Sequence, residues 1–438
     1  MPVMSVAVPA SPRVRAPRPR EAVQKRSSFA VVRAAALAAV ATCGLSASGC
    51  QTMQSYIGRN AAHKPPAAST VQPVTPAGTP TLKLWAGDSN YHLPEGDLKG
   101  SLDLPRIIET IQKSGLDFVF FTPAVKSRFY EDQSALETTL QKWREQRQFL
   151  ETIPDPKPLF LPGLEYVDKN NGSVSLLFLD LPLLLADLRA QNFRQSPQLF
   201  FYSSKAFGAL LSINTPFATS VKLPVDAPDR YTSVDRSWRM LTDTGREAKS
   251  FPPEIQAAQE LAYGLEAYSI PVSVWRDHYG LDNPLHSLHA TLKYLDDEIL
   301  RRKRRMVPLA GSDSRNGKHL HPTMFVAAPA RTPQALREGF LRGRMCVRSP
   351  EPCGLRVYVD DEGLPHGVGE SVRAKQRIEL RWQGDGEVFK NGESYGAYDG
   401  HVTVPAESGC MLLRLVADGG YSAPVYVNCP FADIETLP

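Results

Sequence analysis

LDFVFFT, Leu116 to Thr122, is an almost unbroken apolar run. A strand covered on one face alternates apolar and polar side chains. A strand covered on both faces has no such need, and the usual place for one is a sheet flanked by helices. The neighbouring sequence agrees. Upstream, TLKLWAG (Thr81 to Gly87) is strand-like, and between the two runs lie the signals of a helix: Asp103 as N-cap, Pro105 in the first turn and Gly115 at the end. Downstream, a helix from about Ser134 to Ile153 leads to PLFLPGLEY and SVSLLFLDL as strands. Ser196 and Pro197 open another helix, which Gly208 closes before the strand ALLSIN. After a polar insert (Val221 to Ser250) come a helix from Pro253 to Tyr263, the strand GLEAYS, a helix from about Ser287 to Arg302 and the strand MVPLAGSD. Thr332 and Pro333 start a last helix, ending near Gly343. This alternation predicts an α/β fold with a parallel sheet or barrel, whose chemistry gathers at the C-terminal ends of the strands.

Five motifs sit at those ends: GDSNYH (Gly87 to His92), PGLE (Pro162 to Glu165), INTP (Ile213 to Pro216), GLEAY (Gly264 to Tyr268) and GSDSR (Gly311 to Arg315). Four of their side chains suit a hard cation: His92, Glu165, Glu266 and Asp313. The positions around them carry Asn, Pro, Ala, Ser, Thr or Arg. Imidazoles and carboxylates must converge at about 2.0–2.2 Å on an ion to hold it, and too few are supplied for several ions.

With 438 residues, 42% of them hydrophobic and 22% charged, the chain is long enough for two domains and has the composition of a soluble globular protein. The net charge of +4 is concentrated in an Arg-rich N-terminal arm and predicts no nucleic-acid partner. That arm (Arg13 to Arg26), the small-residue apolar segment Ala34 to Leu45 and the sequence LSASGC read as a lipoprotein signal peptide over residues 1–50. Cys50 would become the lipidated N-terminus; an uncleaved anchor and a mis-assigned start codon are the alternatives. Residues 51–80, rich in Pro and Ala, predict a disordered tether. Gln51 after Cys50 favours the outer membrane. The expected location is the bacterial cell envelope, with the membrane as one partner through Cys50 and an unidentified envelope ligand or protein as another.

Cys346, Cys353, Cys410 and Cys429 lie close to the C-terminus. An even number in an exported chain suggests disulfides. Of three possible pairings, proximity favours Cys346–Cys353 and Cys410–Cys429; free buried thiols are the alternative. Beyond Cys346 the texture becomes LRVYV, RIELRW, EVFKNGE, HVTV, MLLRLV and APVYVN, with Asn391-Gly392 as a hairpin turn signal. This reads as a small β-sandwich-like module over residues 346–438, after an α/β domain over 81–345.

The spacing of the strand-end motifs resembles the polymerase-and-histidinol-phosphatase (PHP) superfamily of metal-dependent phosphoesterases, over about Leu82 to Val347. The resemblance implies a distorted seven-stranded α/β barrel. Its family pattern holds two or three Zn, Mn or Fe ions, and a metal-bridging hydroxide attacks phosphorus. Against that pattern, Asn90 stands where the first His belongs and His92 keeps the second. Pro123 and Ala124 replace an Asp-His pair after Thr122. Ser173 and Thr215 occupy two further His positions, and Arg315 the last. His92, Glu165 and Asp313 remain as metal ligands, with Glu266 as a possible fourth. Arg315 places a permanent positive charge in a ligand position and suits a phosphate or carboxylate instead. The resemblance therefore implies a metal-depleted relative, a pseudoenzyme without a cofactor that binds a ligand or partner. The alternative is a phosphoesterase with a reduced site for one divalent metal, Zn, Mn or Fe.

Other candidates have plainer readings. His319 and His321 read as exposed loop residues, and His286 with His289 as helix-start polarity. The run Arg301 to Arg305 (RRKRR) reads as a solvated helix end that suits the helix dipole, with an anionic-lipid contact as the alternative. No G-x-S-x-G elbow and no Gly-rich phosphate loop is present.

Overall fold

The structure is a computed structural model that describes residues 82–92, 104–153, 158–218, 237–269, 288–314, 321–360 and 365–431. The expected signal peptide and tether, with Cys50, Arg315, His286 and His319, lie outside them.

Strand β1 (Lys83–Tyr91) pairs in parallel with β2 (Phe118–Phe121), and β2 with β4 (Leu159–Asp168). A short β3 (Ala124–Lys126) runs beside the end of β4. Strand β5 (Gly172–Leu177) is antiparallel to β4 and to β6 (Leu210–Ile213). Parallel pairing then resumes through β7 (Gly264–Ser269) to β8 (Val307–Gly311). A parallel bridge between Tyr91 and Ser314 brings the end of the last of these strands back to the first.

The sheet is therefore mixed, a correction to the parallel one expected. The cause is local. Asp168 accepts hydrogen bonds from the backbone N–H groups of Asn170 and Asn171, and Gly172 takes φ 108°. The resulting tight turn returns the chain antiparallel, because a parallel crossover needs a dozen or more residues (roughly). Strand β5 also ends earlier than expected, at Leu177. Phe178 turns left-handed (φ 61°), and Asp180 caps a one-turn helix, Leu181–Leu184. A further helix, Asp187–Gln195, was not legible in the sequence.

The apolar run that opens the sequence reading is buried on both faces. Phe118 and Phe120 make edge-to-face contacts with Phe340 of the last helix of the α/β part, Pro333–Arg342, and Phe120 also meets Phe178. Val119 and Phe121 face the other way, in a cluster with Tyr91 and with Ile108 and Ile111 of helix Leu104–Lys113.

The C-terminal strands continue this sheet. Strand β9 (Met324–Ala328) is antiparallel to both β1 and β10 (Met345–Val347), and β10 pairs on its other edge with β16 (Gly420–Ser422). Beyond β16 lies β15 (Met411–Ala417), which joins β13 (Arg377–Lys390) and β17 (Val425–Val427). Strand β13 carries β11 (Arg356–Val359) and β14 (Glu393–Pro405), and β17 carries β12 (Ser371–Val372). The boundary expected at Cys346 thus falls inside a strand with both edges paired. Asn391 and Gly392 form the β13–β14 turn, with φ 52° and 81°, the two left-handed residues of a type I′ hairpin. Cys346–Cys353 and Cys410–Cys429 are both disulfide-bonded.

Charged groups fasten the C-terminal strands to the α/β part. Arg414 of β15 donates from Nε (2.7 Å) and Nη2 (2.5 Å) to Asp296 Oδ1 on helix Leu288–Arg302, and from Nη1 to the Ser422 carbonyl (2.9 Å). Both side chains are essentially fully buried. The basic run is solvated only in part: Arg301 and Lys303 are exposed, while Arg302, Arg304 and Arg305 pack. Arg302 donates to the Gln259 and Glu260 carbonyls, and Arg304 to that of Ala262. Arg305 reaches the carbonyls of Arg342 and Gly369 and the Ser371 hydroxyl, and stacks over Tyr426. Arg302 and Arg304 thus pack within the α/β part, and Arg305 bridges to the C-terminal strands.

Removing one partner of a buried pair leaves an uncompensated charge, which costs about 3–5 kcal/mol. Arg414→Leu is expected to lower the urea unfolding free energy by about that much, whereas Lys303→Gln, at an exposed position, leaves it within about 0.5 kcal/mol.

Candidate functional site

Strands β1, β4, β7 and β8 deliver the four expected acid and imidazole groups to one end of the sheet, and the structure brings them together. His92 Nε2 lies 3.0 Å from Asp313 Oδ1 and 3.4 Å from Glu165 Oε2. Glu266 is buried and interacts electrostatically with Asp313, Glu165 and Asp88. Arg315 follows directly after Ser314, outside the described residues.

Register explains the convergence. Glu165 of β4 stands opposite Ala124 on one side and Ser175 on the other, and Ser175 stands opposite Ser212 of β6. Directly opposed residues share a face, so these small side chains line the same surface as Glu165. The Ser175 and Ser212 hydroxyls are buried, with no hydrogen-bond partner among the described residues. Ser173, expected at a His position, lies two residues further along this face, opposite Val167.

Residues around the cluster bind one another or its acids. Thr122 Oγ1 donates to Asn90 Oδ1 (2.5 Å). Asn214 Nδ2 donates to Glu165 Oε1 (2.9 Å), and the Thr215 backbone N–H to Glu266 Oε2 (3.1 Å). Thr215 and Asp313 both hold left-handed backbones, φ 37° and 46°. Such conformations in residues other than glycine cost of order 1–3 kcal/mol and concentrate at functional sites. Gly311 is required by close approach: a Cβ there would lie 2.5 Å from Asn90 Cβ and 2.6 Å from Glu266 Oε1.

Sequence reasoning passed over Asp88, which turns out to be central. Its Oδ1 accepts from the backbone N–H groups of Asn90 and Ser312, both at 3.0 Å, while Oδ2 has no partner among the described residues. Burial pushes its pKa up to about 6, against the opposing pull of the Ser312 and Asn90 hydrogen bonds and of His92. Glu266 is shifted further. Burial, and then the carboxylates of Asp313, Glu165 and Asp88, hold it well above the usual range. The signal for Asp88 was its place directly before the motif's Ser and Asn. Only its burial gives it a role.

The donor set limits what the cluster can hold. Several ions do not fit, because Asn90, Thr215, Pro123 and Ala124 present an occupied amide, a hydroxyl residue and no ligand at all. Among the described residues no group of three or more His, Cys, Asp or Glu side chains is arranged as a ready metal cage. The His92 Nε2 contacts, at 3.0 and 3.4 Å, are close approaches of one imidazole nitrogen to two carboxylates. Donors about 2.1 Å from one shared ion would also lie about 3.0–3.4 Å apart, so a single ion between them is compatible with this spacing.

No family model and no curated protein matches the chain. Among solved structures it is similar to a two-domain protein of Bacteroides vulgatus ATCC 8482 containing a predicted PHP-like metal-dependent phosphoesterase. That match has 14% identity and a TM-score of 0.36, and covers 81% of this chain and 100% of the other. It is also similar to PsfC of Pseudomonas syringae PB-5123, with 15% identity and a TM-score of 0.32, over 60% of this chain and 88% of that one. With TM-scores this low, the PHP resemblance rests on the strand-end motifs and on the convergence of His92, Glu165 and Asp313.

The raised acids have a testable consequence. An acid whose folded pKa exceeds its unfolded value stabilises fully below the unfolded value, and that stability is lost as pH rises through the folded one. For Asp88 the window runs from 3.8 to about 6; for Glu266 it opens at 4.5 and extends well above. Glu266→Gln keeps the shape without the ionisation. Its urea midpoint is expected to match the parent at pH 4 and to exceed it increasingly towards pH 8.

Proposed function

We propose that this chain is an exported, lipid-anchored protein of the bacterial cell envelope whose PHP-like domain, a degenerate relative of the seven-stranded barrel, binds a ligand or partner without metal catalysis. The observation that carries this reading is that neighbouring groups take up lone pairs of the acids and tie Asn90 in place. Asn214 occupies a lone pair of Glu165, the Thr215 backbone one of Glu266, and Asn90 is tied to Thr122. A catalytic centre with two or three ions needs those lone pairs and those positions for metal. The C-terminal β module adds binding surface.

Cys50 is the proposed anchor, on the strength of the small residues before it. Cys50→Ser is expected to move the protein from the membrane to the soluble fraction; retention in the membrane would instead support an uncleaved anchor. Arg315, next to the cluster in sequence, is the proposed contact for a phosphate or carboxylate group of the ligand.

The spacing of the His92 contacts favours one second reading, a single-metal phosphoesterase. His92, Glu165 and Asp313 would hold the ion, which would supply charge for polarising a phosphoryl oxygen, and Arg315 would orient the phosphate. Metal content of the purified protein, measured by mass spectrometry after incubation with Mn and Zn, separates the two readings. Well under 0.1 equivalent (roughly) and no hydrolysis of p-nitrophenyl phosphate is expected. Near-stoichiometric metal that disappears in Asp313→Ala would establish the second reading.

A further inference from the structure

A cavity of about 820 Å³ lies away from the strand-end cluster, where the start of β1 meets the C-terminal strands. Pockets of about 300–1,000 Å³ are typical of small-molecule sites: mostly apolar walls with a few polar groups that fix orientation. Here Leu82, Leu84, Ala327 and Val368 provide apolar wall. Leu84 is 41% exposed, one of only three large hydrophobic side chains among the described residues to stand so far into solvent.

The polar wall is unbalanced around Arg344. Its Nε is buried with no hydrogen-bond acceptor among the described residues. The carboxylate recorded with it, Glu370, lies 3.8 Å from Nη2, too far for a hydrogen bond, and Glu370's other oxygen is 3.3 Å from His366 Nδ1. Burial holds the Arg344 pKa below the usual guanidinium value, with Glu370 only partly opposing. Two other charged groups line the cavity, an exposed arginine and a glutamate, each with a partner of its own. Arg356 donates to the Cys353 and Leu355 carbonyls, and Glu351 accepts from Ser349. Arg344 is therefore left with donor capacity beside an apolar surface, which matches an anionic head on a short hydrocarbon chain.

We propose that this cavity is a binding site for a small amphiphile carrying a carboxylate, with Arg344 holding the anion and Leu82, Leu84 and Val368 covering the chain. The site shares no residue with the strand-end cluster, so metal loading there neither supports nor undermines it.

Isothermal titration of the full protein with decanoate tests the proposal, with decanol as the uncharged probe. Saturable one-to-one binding of decanoate is expected, weakened at least tenfold by Arg344→Gln and retained within about threefold by Arg344→Lys, which keeps a charged donor. Leu84→Ser, at an exposed position that folding tolerates, is expected to weaken both probes, whereas Arg344→Gln leaves decanol unchanged. Equal decanoate affinity in the parent and Arg344→Gln would overturn the proposal. So would the absence of saturable binding, or binding to phosphatidylglycerol vesicles without binding to decanoate. Loss in Arg344→Lys as well as Arg344→Gln, with unchanged circular dichroism, would also overturn the role given to the anion.

Discussion

The seam between β1 and β8 is the constraint on which the rest of the site depends. No backbone ladder joins these strands; one bridge and a set of side-chain bonds do the work. Asp88 accepts from the Ser312 backbone, Ser89 Oγ donates to the Ala310 carbonyl (2.8 Å), and the His92 N–H donates to the Ser314 carbonyl (2.9 Å). Thr323 adds a fourth point of contact, donating to the Ala310 carbonyl from its hydroxyl and to that of Gly87 from its backbone. Buried hydrogen bonds to a carboxylate are strong, but they require the carboxylate to leave water. Closing the sheet in this way buries acids at its end, and that burial is what raises the pKa values of Asp88 and Glu266.

That crowding shapes what the cluster can do. Four carboxyl groups and one imidazole cannot all carry charge in a buried space, since each added negative charge raises the others. Multivalent cations would relieve the repulsion. Hydrogen bonds from Asn214 to Glu165 and from the Thr215 backbone to Glu266 offset part of it as well. Asn90 and Thr122, the last residue of the apolar run, complete the arrangement by satisfying each other. These bonds knit the cluster together, beside the left-handed backbones of Asp313 and Thr215.

The C-terminal strands are integral to the α/β part. They share a sheet with it through β9 and β10, and the Arg414–Asp296 pair and Arg305 cross from one part to the other. Nothing local marks these arginines as fasteners. RRKRR has the composition of a solvated helix end, and only the carbonyls presented by distant turns convert it into packing. The cavity beside Arg344 is of the same kind, since its walls come from Leu82, Leu84, Ala327 and Val368, far apart in sequence.

What the sequence alone determined were features with local causes. LDFVFFT announced a strand covered on both faces. Asn391-Gly392 specified its hairpin through the left-handed conformations these residues adopt easily. The two Cys pairs are close enough along the chain for proximity to select them, and the strand-end motifs marked His92, Glu165 and Asp313. Tertiary structure decided the direction of β5, the continuity of the sheet through Cys346, the burial of Asp88 and the partners of the arginines. The physical reason is range. Turn chemistry and apolar periodicity act over a few residues, whereas burial, pKa shifts and hydrogen bonds to distant carbonyls depend on groups that only folding brings together.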